Sequence, residues 1–115
     1  MSLREDQNKC SKYVGMLILW AYEHNYALTL GEVKRTQEQQ NLYIQQGKTK
    51  VARSNHQDSL AIDLALFIDG VYKTDSADYK PLGEFWKSLD PNNVWGGDWK
   101  RFLDGNHFEY HSSSR

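Results

Sequence analysis

The chain has a single cysteine, Cys10, among 115 residues, so no internal disulfide can form and folding needs no oxidising compartment. Cys10 falls on a helical apolar stripe, which marks it as a packed core thiol rather than a nucleophile. Charge of one sign is also missing: 14 Lys and Arg face 15 Asp and Glu. Nucleic-acid and membrane-surface binding, which draw on a basic excess, gain no support. The longest apolar segment of the first half, "YVGMLILWAY", is too short to span a bilayer. A signal peptide is possible on paper, but acidic residues precede the segment and no small-residue cleavage site follows, so it is expected to be part of the fold. Synthesis in the cytoplasm is expected. Repeats and linkers are absent, and the length suits one domain, residues 1–115, expected as a monomer.

Hydrophobic periodicity supplies the elements. Cys10, Tyr13, Val14, Leu17, Ile18 and Ala21 recur at helical spacing, predicting a core-packing helix over 5–24. "ALTLGEV" reads as a strand. Thr36 and Gln39 form a capping box that opens a second helix, expected to end at Gly47. "KTKVARSN" is a polar loop delivering His56. Residues 61–68 form a strand, Asp69-Gly70 a hairpin turn, and Val71–Lys73 the return strand. Pro81 starts a third helix carrying Leu82, Phe85, Trp86 and Leu89, stopped by Asp90-Pro91. The glycine-punctuated remainder holds one short strand near "HFEY", and the 112–115 tail is expected to be disordered. The class is α+β, a small antiparallel sheet with packed helices.

One residue breaks the pattern. In "AIDLALFI", residues 61–68, Asp63 is the sole polar side chain. Strand alternation puts Ile62, Leu64, Leu66 and Ile68 on one face and Ala61, Asp63, Ala65 and Phe67 on the other. A buried carboxylate is costly unless paired or bound to a metal, so Asp63 needs a partner. His56, seven residues earlier, offers an imidazole, and both groups suit zinc. The best third ligand is His107 in "DGNHFEY", with Asp104 three residues before it as a general base. Arg35, ahead of the capped helix, would bind a substrate carboxylate or stabilise an oxyanion. Bland alternatives stay open: His107 as a core-edge histidine, Glu109 in place of Asp104 or of a ligand, and Arg35 in an ion pair with Glu38 or Glu32. His24 and His111 read as structural or solvent-exposed.

"SNHQDSLAID", then "WGGDW" and "DGNHFE" some forty residues on, resemble the zinc D-alanyl-D-alanine carboxypeptidase family. That family includes VanY-type carboxypeptidases, D,D-dipeptidases and phage L-alanyl-D-glutamate endopeptidases, and the last are the nearest in pattern. Its pattern is S-x-H-x-x-G-x-A-x-D, followed by an acid three residues before a final His. The resemblance implies zinc ligands at His56, Asp63 and His107, a catalytic acid/base at Asp104, and Ser54 opening the motif as a substrate-binding position. "VKRTQEQQNLYIQQGKT" is similar to the family's Arg-then-helix segment and implies a substrate-binding role for Arg35. The one departure is Ser59 where the family has glycine, a position where a left-handed backbone or close approach is usual.

The resemblance implies a hedgehog/D-Ala-D-Ala-peptidase-like fold and a zinc metallopeptidase acting on the peptidoglycan stem peptide. The bond would be of the L-Ala-D-Glu or the D-Ala-D-Ala type, in lysis or remodelling of the bacterial cell wall, with zinc as cofactor. The alternative is a non-catalytic zinc-binding interaction module on the same fold, as in the hedgehog signalling domain. Asp104 discriminates, because a binding module needs no acid/base there.

Overall fold

The computed structural model describes residues 2–47, 55–100 and 103–111. Ser54, most of the polar loop and the 112–115 tail therefore lie outside the described residues.

Helix α1 spans Leu3–Glu23, two residues earlier than its apolar stripe predicts. A capping box explains the difference: the Ser2 hydroxyl accepts from the Glu5 amide, and the Glu5 carboxylate accepts from the Ser2 amide. Strand β1 is Tyr26–Leu30, and helix α2, capped by Thr36, is Gln37–Gln45. Strands β2, Ala61–Ile68, and β3, Val71–Lys73, form the expected hairpin. Its turn residues Asp69 and Gly70 both have positive φ, at 52° and 79°, as the tight two-residue turn requires. Helix α3 runs Lys80–Leu89 with Pro81 in its first turn. Two strands close the chain where one was expected: β4, Asn93–Trp95, and β5, His107–Tyr110. Short 3₁₀ turns at Asn55–Asp58, Ser76–Tyr79 and Gly96–Asp98 join these elements.

The sheet order is β1-β2-β5-β4, with β3 paired to β2, and every pairing is antiparallel. Helices α1 and α3 contact each other and the sheet. Between them lie Leu17, Ala21, Leu64, Leu66, Leu82, Trp86 and Phe108, all buried. Trp86 fastens this layer, its indole N–H shared between the carbonyls of Val94 on β4 and Glu109 on β5. The β2 alternation holds: Ile62, Leu64 and Leu66 are buried in the core, while Asp63, Ala65 and Phe67 on the opposite face are half-buried.

Strand β1 is shorter than "ALTLGEV" suggests, and the cause lies beside Asp63. The Gly31 amide donates to the Asp63 carbonyl at 2.8 Å, while the Asp63 amide donates to the Glu32 carbonyl at 2.9 Å. Two residues thus oppose one, a bulge that ends regular pairing. A Cβ on Gly31 would stand 2.9 Å from the Asp63 carbonyl oxygen, so the close approach needs glycine.

Candidate metal centre

Three elements converge on one point. Asp63 on β2 and His107 on β5 are direct cross-strand partners. Asp63 spends its own backbone bonds on Gly31 and Glu32, so the pair is of the non-hydrogen-bonded kind, in which side chains stand closest. His56 comes from the 3₁₀ turn just before β2. That turn ends in a Schellman arrangement: the Leu60 amide donates to the Asn55 carbonyl and the Ser59 amide to the His56 carbonyl. Ser59 occupies its left-handed position at φ 57°. This is where the family pattern has glycine, and the backbone conformation supplies the reason.

Among the described residues, His56, Asp63 and His107 form the one group of three side chains able to share a metal ion. Asp63 Oδ1 lies 3.3 Å from His56 Nε2 and 3.4 Å from His107 Nδ1. It is buried yet has no hydrogen-bond partner among the described residues. Tetrahedral zinc with ligand bonds of about 2.0–2.1 Å places its ligand atoms about 3.3–3.4 Å apart. The two oxygen-to-nitrogen distances match that spacing, all three candidate atoms lie within 4.8 Å of one another, and the donor set suits a divalent ion of this kind.

Both rings are held by their far nitrogens. His56 Nδ1 is 3.0 Å from the Val33 carbonyl, which can only accept, so this nitrogen is the donor of that contact and Nε2 is the one turned towards Asp63. His107 Nε2 is 2.7 Å from Glu109 Oε1, leaving Nδ1 towards Asp63. Asn55 donates to the other Glu109 oxygen at 2.6 Å. Glu109, weighed in the sequence as a base or a ligand, is thus occupied at both oxygens in orienting His107. Such carboxylate–histidine pairs fix ring direction and raise ligand basicity.

The electrostatics call for positive charge. Burial works to raise the Asp63 carboxyl, but His107 and His56 beside it outweigh burial and hold it at about 2. Burial opposes charge on His107, yet Asp63 and Glu109 on either side push its pKa up to about 9. A proton at His107 between two carboxylates occupies the place a cation would take.

Asp104 lies in the loop before β5, and its carbonyl accepts from the His107 amide. Its carboxyl is raised above the usual range by burial and by the Asp63 charge, against the pull of His107, His56 and Arg35. Gly96 anchors this loop: its carbonyl accepts from the Asp104 amide, and a Cβ there would fall 2.1 Å from the Asp104 carbonyl oxygen. Trp99 packs its ring on His107, centroids 4.9 Å apart.

Arg35 stands one step back. Its guanidinium pairs with Glu32, donates to Gln40 Oε1 at 2.8 Å and lies over the Tyr43 ring. The open alternative of an ion pair with Glu32 is thus observed, but largely buried rather than at the surface. The Arg35 amide donates to the His56 carbonyl, tying this segment to the metal-side turn. The orienting contacts of Val33, Asn55 and Glu109 join residues far apart in the chain or carry no motif. Only Glu109 had a visible signal, since H-x-E on a strand puts both side chains on one face.

A family model described as D-alanyl-D-alanine carboxypeptidase matches residues 47–110, a span holding His56, Asp63, Asp104 and His107 but not Arg35. The L-alanyl-D-glutamate peptidase of Listeria phage A118 is 30% identical over 99 residues, covering 82% of this chain and 34% of the phage protein. The chain thus spans about a third of that relative's length. Two solved structures share the fold. The L-Ala D-Glu endopeptidase ChiX of Serratia marcescens aligns with a TM-score of 0.67 at 23% identity, over 82% of this chain and 74% of its own. The D,D-pentapeptidase VanY of a VanB-type vancomycin resistance cassette, solved with Zn(II), aligns at 0.61 and 18% identity, over 92% and 72%.

Proposed function

The chain belongs to the D-alanyl-D-alanine carboxypeptidase family, and on that premise we propose that it is a zinc metallopeptidase cutting a peptide bond of the peptidoglycan stem. The observation that carries the reading is the unpartnered Asp63 oxygen set between two oriented imidazoles at ligand-to-ligand spacing. His56 Nε2, Asp63 Oδ1 and His107 Nδ1 would hold the ion. When bound, zinc supplies Lewis-acid polarisation of the scissile carbonyl and acidifies water at neutral pH.

The protein's own residues do the rest. Asp104 takes a proton from the attacking water as its oxygen bonds to the carbonyl carbon. The same carboxyl then delivers that proton to the departing nitrogen as the C–N bond breaks, so one group serves as base and acid. Its raised pKa suits both halves of this role. Glu32 and Gln40 engage three of the five Arg35 N–H groups, leaving two for the charge that develops on the carbonyl oxygen. Ser54 is retained as a substrate-side group on the strength of the motif alone. Bonds of the L-Ala-D-Glu and D-Ala-D-Ala types are the candidates, in wall lysis or remodelling.

Digestion of purified peptidoglycan by the zinc-loaded chain, read by mass spectrometry, tests the proposal. New amino termini that vanish after chelation are expected, and they name the bond. A fully zinc-loaded chain that leaves the wall intact would instead be a zinc-binding interaction module.

A further inference from the structure

The loop that carries Asp104 is clamped by two side chains from elements that hold no candidate ligand. Gly105, the next residue, is buried, and side chains engage both of its backbone groups. Its amide donates to Ser76 Oγ at 2.9 Å, and its carbonyl accepts from the Trp95 indole N–H at 2.7 Å. A Cβ on Gly105 would stand 2.6 Å from Ser76 Cα and 2.8 Å from Ser76 Oγ, so this approach needs glycine. Ser76 is itself fixed. It opens the 3₁₀ turn Ser76–Tyr79, which the Asp75 carboxylate caps by accepting from the Ala77 amide. At the end of that turn the Tyr79 hydroxyl accepts from the Leu66 amide and donates to the Lys73 carbonyl. The turn is thereby locked to β2 and β3. Trp95 is buried on β4 with its ring against Gly83 of α3.

The Asp104 carboxyl has no such anchor of its own. Among the described residues it makes no hydrogen bond or ion pair, so its aim is set by the backbone beneath it. That backbone is held on one side by Gly96 and His107 and on the other by the clamp on Gly105. Aim matters for this group, because a general acid/base works only within hydrogen-bond reach of its proton partner. A misplacement of about 1 Å can cost about 100-fold in rate. We propose that Ser76 is a positioning residue for the reaction: through Gly105 its hydroxyl fixes the backbone from which the Asp104 carboxyl is aimed. Trp95 holds the opposite side of the same glycine. The inference rests on Asp104 as the acid/base of the proposed peptidase.

Ser76→Ala removes the acceptor and leaves the buried Gly105 amide unpaired. With the zinc-loaded chain and solubilised peptidoglycan fragments, kcat should fall roughly 10- to 100-fold while KM and zinc content stay at wild-type values. Amide hydrogen exchange, read by NMR, should quicken at Gly105 and not in β2 or α3. Ser76→Cys, whose thiol is a weaker acceptor, should fall between serine and alanine in both measurements, and it decides the matter if Ser76→Ala does not fold. In the Asp104→Ala background Ser76→Ala should have no further effect on kcat, because a positioning residue acts only through the group it places. Wild-type kcat in Ser76→Ala with only Tm lowered, a change confined to KM, or an undiminished effect in the Asp104→Ala background each overturns the role. If Asp104→Ala itself keeps wild-type turnover, the acid/base assignment fails. That outcome is distinct from a silent Ser76→Ala beside an inactive Asp104→Ala, which refutes the positioning role alone.

Discussion

His107 Nε2 and Glu109 Oε1 stand 2.7 Å apart, two residues along one strand, so the carboxylate grips the side of the imidazole facing away from Asp63. The contact predicts that Glu109→Gln weakens zinc binding by roughly 10- to 100-fold, the usual effect of losing such a partner. Turnover at saturating zinc should change little. Competition with a fluorescent chelator measures the first, and peptidase assays in excess zinc the second. The proposed ligands should behave differently: His56→Ala and Asp63→Ala are both expected to lose stoichiometric zinc by elemental analysis.

Asp104→Ala separates chemistry from metal binding. It should keep a full complement of zinc and lose wall hydrolysis by roughly 10²- to 10⁴-fold, the range for a general acid/base. If the loss falls on Glu109→Gln in excess zinc instead, the two carboxylates must exchange roles.

Arg35→Lys keeps the charge but removes the planar fork. Glu32 and Gln40 engage that fork together, and a single ammonium cannot hold both and still face the carbonyl. A fall in kcat with zinc content unchanged is expected. Wild-type turnover in this variant would remove Arg35 from the reaction.

Ser59→Gly should stabilise the fold. A non-glycine residue in the left-handed region costs about 1–2 kcal/mol, part of which glycine returns in unfolded-state entropy. The net gain is about 1 kcal/mol, a rise of a few degrees in Tm by calorimetry. The Schellman hydrogen bonds around His56 should be preserved.

Burial pushes the Cys10 thiol from an ordinary value of 9.0 up to about 12. The folded state therefore holds this proton more tightly than the unfolded chain does. The resulting stability is whole below pH 9 and is lost as pH rises towards 12. Denaturant titrations from pH 8 to 11 should show that decline, and Cys10→Ala should flatten it. Maleimide should label Cys10 at pH 8 only in unfolded protein.

Strand β2 was legible because one polar residue in an apolar run has few physical explanations, and alternation fixed the face on which Asp63 stands. The partners His56 and His107 followed from ligand chemistry, and the observed spacing agrees with it. Strand β4 was not legible: three residues in "NNVWGG" carry no periodicity, and the strand exists because β5 offers an edge. The bulge at Gly31 and Glu32 was hidden for the same reason, since it is set by what Asp63 bonds across the sheet. Arg35 could be placed near the site, but its engagement by Glu32 depends on that bulge and so was not decidable from one dimension.

Gly96 holds the Asp104 amide, and the Asp104 carbonyl in turn holds the His107 amide. With His107 as a ligand and Asp104 as the proton carrier, two parts of the reaction hang from one short chain of backbone hydrogen bonds. Such parts cannot be tuned one at a time. Free energy that a bound ion invests in ordering His107 also orders Asp104, and an ordered Asp104 favours the ion by the same amount. On the proposed roles, metal binding and the placement of Asp104 are therefore expected to strengthen each other.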